Sequence, residues 1–145
     1  MLGDTSTSPM ALAVRHPRFA FDGLPRWWHS GDPFLTHLIN GLGFVFPAGE
    51  KFFVRSVMAY ADRIDDPALL ADVRAFAAQE AQHGRGHREA FQALRDQGLV
   101  IDDFLQWYED TAYGRIEPRW SPAVRLATTA AIEHLTATLA EVALE

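Results

Sequence analysis

Residues 78–89 read AQEAQHGRGHRE. Glu80, His83 and His87 fall at steps of three and four, which sets all three on one face of a helix. Gly84 and Gly86 stand inside that helix and cost it about 1 kcal/mol each against alanine. Glu-x-x-His lets one helical turn give a carboxylate oxygen and an imidazole nitrogen to the same metal centre. The same spacing also stabilises an ordinary solvated helix face. What decides between them is what the rest of the chain brings to this stretch.

The flanking sequence fixes the helix first. Asp65-Asp66-Pro67 stops one helix and starts the next. Gly98 is placed as the C′ residue, so this helix runs from Pro67 to about Gln97. Before it, Asp32-Pro33 offers an N-cap followed by proline at the first helical position. That apolar pattern continues to about Ile64, with a kink or restart expected at Pro47. Beyond Gly98, Asp102 or Asp103 caps a shorter helix to about Thr111. Tyr113 to Trp120 reads as loop, and Ser121-Pro122 opens a last helix reaching Glu145. No alternating strand pattern competes. The predicted fold is an all-α helical bundle of three long helices and one short one, over residues 25–145, preceded by a flexible arm over 1–24.

The last helix is apolar almost all round and is therefore expected to be buried. Yet three long helices leave a bundle with one open side, where four would close it. The bundle is thus expected to be incomplete within this chain. Either the chain is the N-terminal part of a larger bundle, its C-terminal half missing, or a homodimer closes the open side.

Composition narrows the chemistry. A chain of 145 residues predicts one domain. Its net charge of −6 argues against nucleic acid as a partner. With no cysteine, thiolate zinc sites, iron–sulfur clusters and cysteine nucleophiles are excluded. A metal must then use His, Asp and Glu, which favours iron, manganese or zinc. The opening MLGDTSTSPM lacks the basic and apolar regions of a secretory signal, and is read as the disordered start of a cytoplasmic protein. The apolar run from Pro33 to Gly49 is short for a membrane span and reads as a buried helix.

The hairpin around Asp65-Asp66 brings carboxylates to one level. Glu50 lies as far before the turn as Glu80 lies after it, about 21–23 Å at a rise of about 1.5 Å per residue. Glu133 sits within AAIEHLTATLA, where a buried carboxylate without a partner is costly, so a cation should meet it. Its neighbour His134 points about 100° away, and Glu133 is preferred as the donor. In carboxylate-bridged di-metal bundles, two helices each give a single Glu and two others each give Glu-x-x-His. Glu50, then Glu80 with His83, then Glu133 supply four of those six ligands in that order. His87 is either a further ligand, a hydrogen-bond partner behind the ligands, or a surface histidine. Gly84 and Gly86 are read as packing positions, with room beside the metal as the alternative. Trp27, Trp28, Phe44, Phe46, Phe52 and Phe53 are core candidates that would alternatively wall an apolar channel.

Three blocks carry a family resemblance: FPAGEKFFVRSV (46–57), FAAQEAQHGRGH (76–87) and AIEHLTA (131–137). They resemble the bacterial family labelled "predicted metal-dependent hydrolase", over about residues 25 to 145. The resemblance implies a ferritin-like di-metal protein, similar in ligand logic to p-aminobenzoate N-oxygenase. It carries Glu50, Glu80, His83 and Glu133 onto ligand positions, and His87 onto another recurrent histidine. Family members are about twice as long, with another Glu- and His-rich helix in the second half; the resemblance covers only their N-terminal half.

The expected function is a metal-dependent enzyme with a carboxylate-bridged di-metal centre, iron before manganese or zinc, oxidising or hydrolysing a small organic substrate. Two alternatives stand beside it. One is a zinc-dependent hydrolase using Glu80, His83 and His87. The other is a non-catalytic helical protein that dimerises through its open apolar face.

Overall fold

A computed structural model describes residues 12–144, with side chains described as far as Glu141. The expected disordered start over residues 1–10 lies outside them. Among the described residues the fold is all-α, with no strand. Helix α1 spans Pro33–Met58, α2 spans Pro67–Asp96, α3 spans Asp102–Glu109 and α4 spans Pro122–Leu144. Among the described residues, no helix is long and apolar enough to cross a membrane.

The ends of α1 and α2 follow the capping chemistry, whereas α3 starts at Asp102 behind Ile101 with no side-chain cap, where an aspartate cap was expected. Asp32 Oδ1 accepts from Leu35 N at 2.8 Å, and Asp66 Oδ1 from Ala68 N at 2.8 Å. Each aspartate is followed by proline at the first helical position, where the missing N–H has no intrahelical partner to lose. At the other end of α2, Gly98 adopts φ +87°. Gly98 N donates to Arg95 O at 2.8 Å, and Leu99 N donates to Leu94 O at 3.1 Å. These two bonds form a Schellman motif, whose left-handed position glycine tolerates. α1 runs through Pro47 without a restart. Packing of its flanking turns on α2 outweighs the lost backbone hydrogen bond.

Two further expectations need correction. Tyr113–Trp120 is not loop: α3 passes into a π-helical stretch, Asp110–Ile116, and a 3₁₀ turn, Glu117–Arg119. Buried polar contacts hold this segment. Glu117, itself buried, accepts from Arg55 Nη2 at 2.5 Å and faces Arg125 Nη1 at 3.6 Å. The second correction concerns α4. Its apolar residues are largely exposed, with Leu135 at 57% and Leu139 at 58%, because no described helix covers that side.

α1 and α2 form an antiparallel hairpin, and α4 packs against α1. The buried Ser56–Thr129 hydroxyl pair, 2.5 Å apart, ties α4 to α1. A compact apolar cluster of Phe91, Leu94 and Ile101 packs with Phe44, Leu99 and Leu105 at one end of the hairpin. Residues 12–24 run along α2, where Leu12 N donates to Asp72 Oδ1 at 3.2 Å and Arg15 N to Gln79 Oε1 at 2.7 Å.

Candidate metal centre

The hairpin sets Glu50 on α1 beside Glu80 and His83 on α2, as the equal distances from the turn require. Each offers one donor atom, and those atoms all lie within 4.8 Å of one another. Glu50 and Glu80 are buried, while the His83 side chain is 49% exposed and opens the group to solvent. His83 Nδ1 lies 3.4 Å from Glu80 Oε1. One turn further along α2, His87 Nε2 lies 3.3 Å from Glu50 Oε1. The two histidines thus face different carboxylates, one on their own helix and one across the hairpin.

A hollow of about 200 Å³ gathers all five residues singled out by the sequence: Glu50, Glu80, His83, His87 and Glu133. Phe46, Phe53 and Thr136 complete its lining. Glu133 enters from α4, half-buried, whereas the adjacent His134 is exposed, as their angular separation on a helix dictates. Phe46 and Phe53 flank Glu50 at helical steps of four and three, and Thr136 follows Glu133 by three. Phe46 and Phe53 were already candidates for such a wall; Thr136 was not, and its helical step from Glu133 was the signal that would have found it.

Electrostatics show what the cluster costs the free chain. Burial, then the charges of Glu133 and Glu50, push the Glu80 carboxyl up to about 7. Burial and the Glu50 charge also raise Glu133, with His83 acting in the opposite direction. Glu50 Oε2 is buried and has no hydrogen-bond partner. A buried carboxylate oxygen left unpaired is unfavourable unless a cation meets it. Glu50, Glu80 and His83 form one donor group, and Glu133 and His87 line the same hollow outside it; this oxygen- and nitrogen-rich lining suits iron, manganese or zinc. The residues present therefore fit a metal centre.

The two glycines separate in role. A Cβ on Gly84 would stand 3.2 Å from Glu50 Oε2 and 3.3 Å from Arg88 Nη1, so the absent side chain leaves space for the Glu50 carboxylate. A Cβ on Gly86 would instead stand 3.1 Å from the Phe19 ring, so Gly86 admits the arm onto α2. The first matches room beside the candidate metal, the second matches packing.

The sequence reading missed the groups behind Glu50. Gly49 lies under Tyr113, whose hydroxyl would be 3.5 Å from a Cβ at that position. Tyr113 shares a 3.2 Å hydrogen bond with Tyr108, and burial pushes its phenol well above the usual range. Tyr113 belongs to the π-helical stretch that reads as loop in sequence, so no helical period pointed to it.

The family model described as "Predicted metal-dependent hydrolase" matches residues 13–145. No curated protein and no solved structure matches the chain.

Proposed function

The chain belongs to the predicted metal-dependent hydrolase family, and from that premise we propose that it is a metalloenzyme with a carboxylate-rich two-ion centre of ferritin-like type. Glu50, Glu80, His83 and Glu133 would hold the ions, iron before manganese, with His87 as a further donor beside Glu50. The observation that carries this reading is the convergence of three carboxylates and two imidazoles from α1, α2 and α4 on one hollow. Such ions, when bound, supply Lewis acidity and, for iron, redox chemistry.

The chain's own residues do the rest. Glu50 lies across the hairpin from Glu80 and faces His87, so it would hold metal together with donors of α2. Phe46 and Phe53 exclude water from one side of the carboxylates. Gly84 keeps Glu50 in place by leaving its own side undressed. The substrate is a small organic molecule. Val124, Ile132 and Leu135 on exposed α4 support association with a second copy of the chain.

Elemental analysis of the purified chain tests this. The expected result is two iron or manganese ions per chain, lost in Glu80→Ala and in His83→Ala. Unchanged metal content in both variants, or no metal in the parent, refutes the site.

A hydrolytic second reading draws on the helical step between His83 and His87, with Glu80, one turn before His83, as third zinc ligand. Glu133, raised by burial, is then the carboxyl left to take a proton from water. One zinc per chain, with no near-ultraviolet band on exposure to oxygen, selects this reading over the first.

A further inference from the structure

A second cavity adjoins the candidate metal centre. It measures about 410 Å³, within the range of roughly 300–1,000 Å³ usual for small-molecule sites. It shares Phe46, His87 and Thr136 with the metal hollow, so the two spaces meet along those three side chains. Trp28, Phe46, Phe91 and Leu94 form its walls, and Leu42 and Leu139, each more than half exposed, mark its mouth.

The arm supplies part of the enclosure. Phe21 and Leu24 lie against the cavity, and Gln97 Nε2 fixes the Leu24 carbonyl at 2.7 Å. Among the described residues, no Asp, Glu, Lys or Arg lines the space. Its polar groups are Asn40, His87 and Thr136, and each already has company. Asn40 Oδ1 accepts from Trp28 Nε1 at 3.0 Å. Thr136 Oγ1 donates to the backbone carbonyls of Ile132 and Glu133, at 3.0 and 3.1 Å. His87 Nε2 faces Glu50. Two of the three, His87 and Thr136, stand at the junction with the metal hollow.

We propose that this cavity seats the body of the substrate and selects an uncharged, mainly apolar compound whose reactive end reaches the carboxylates past His87 and Thr136. The assignment rests on the metal-centre reading given above. A charged body would lose its hydration among aromatic and aliphatic walls and find no counter-charge there. An apolar body gains about 25 cal/mol for each Å² removed from water. The one polar end of the cavity fixes which end of the ligand faces the metal donors.

Two dyes of one skeleton test the selection: N-phenyl-1-naphthylamine, which is uncharged, and 1-anilinonaphthalene-8-sulfonate, which carries a sulfonate. Fluorescence titration of the full chain should show the uncharged dye binding roughly ten-fold or more tightly than the other. Gly43→Leu supplies the blocking variant. Gly43 lines the cavity, and a Cβ there meets nothing within 4 Å, so the added side chain enters open space. Leucine also favours the helix over glycine by about 1 kcal/mol, and thermal melting checks that the fold is kept.

In Gly43→Leu the uncharged dye should bind roughly ten-fold more weakly, with metal content per chain unchanged. Equal binding of both dyes, or full binding of the uncharged dye in Gly43→Leu, overturns the proposal. So does sedimentation showing that Gly43→Leu abolishes self-association, since a second copy would then be the occupant. Dye binding of the expected kind in a chain that holds no metal refutes the metal-centre reading itself, and with it the substrate assignment.

Discussion

Gly84 shows how much a single missing atom can decide. Gly84→Ala places a Cβ 3.2 Å from Glu50 Oε2, where the carboxylate or the helix must give way. Alanine is the better helix former by about 1 kcal/mol, so the fold should not weaken by more than the local shift costs. The expected outcome is a melting temperature close to that of the parent and a metal affinity lower by roughly ten-fold. Gly41→Ala, which meets nothing within 4 Å, should raise the melting temperature and leave the affinity alone. Calorimetric metal titration beside thermal melting distinguishes them; equal affinity in the two variants would show that Glu50 needs no such room.

Glu80 makes a second prediction. Its folded carboxyl titrates near 7, above the ordinary 4.5, because burial and two neighbouring glutamates disfavour the charge. Below about 4.5 the group is protonated in folded and unfolded chains alike, and the fold keeps its full stability. As pH rises toward 7 the unfolded chain ionises freely while the folded one resists, so the metal-free protein loses stability. Glu133 is shifted in the same direction. Metal reverses the trend, since its ligands bind as anions and binding releases protons. Urea unfolding of the metal-free chain at pH 5 and pH 8 should show the fall, and Glu80→Gln should reduce it; identical pH slopes would exclude Glu80 as the cause. The meeting of Glu50, Glu80 and His83 was legible in the sequence because helical steps and distance from a turn are arithmetic on residue numbers. The role of Gly84 was not, because the clash it avoids lies on another helix.

At the scale of elements, the capped ends were readable and the uncapped middle was not. Asp32, Asp66 and Gly98 each announce a boundary by chemistry local to a few residues. Asp110–Ile116 has no such announcement. Its end is held where Arg55, 62 residues away, and Arg125, 8 residues on, converge on Glu117. The attachment of α4 is likewise tertiary. Thr129→Val removes the buried partner of the Ser56 hydroxyl, while Ser56 keeps its 2.8 Å bond to Phe53 O. A loss of about 1 kcal/mol is expected, read from the urea midpoint. Because Glu133 lies one turn beyond Thr129 on α4, metal affinity should fall as well. A stability loss with unchanged affinity would mean that Glu133 is positioned without that tie.

For the whole molecule, the open side of the bundle was foreseeable from the helix count. What the sequence misjudged was α4, whose all-round apolarity predicted burial. Periodicity describes which faces are apolar and leaves open what lies against them. Val124 at 46%, Leu135 at 57% and Leu139 at 58% exposed are more apolar surface than a helix usually leaves bare. Concentration-dependent self-association is therefore expected in sedimentation velocity. Leu135→Glu, which sits outside both cavities, should shift the chain toward monomer. A parent that sediments as monomer at every concentration would refute association through α4.

The hairpin has one more consequence, which concerns timing. Glu50, Glu80 and His83 belong to two adjacent helices joined by a short turn, so their encounter closes only a small loop. Glu133 must wait for α3, the π-helical stretch and the anchoring of α4. During synthesis, the three-donor half can assemble while the rest of the chain is still emerging. The order of the candidate donors along the chain thus becomes a schedule for bringing the cluster together, with the α4 carboxylate arriving last.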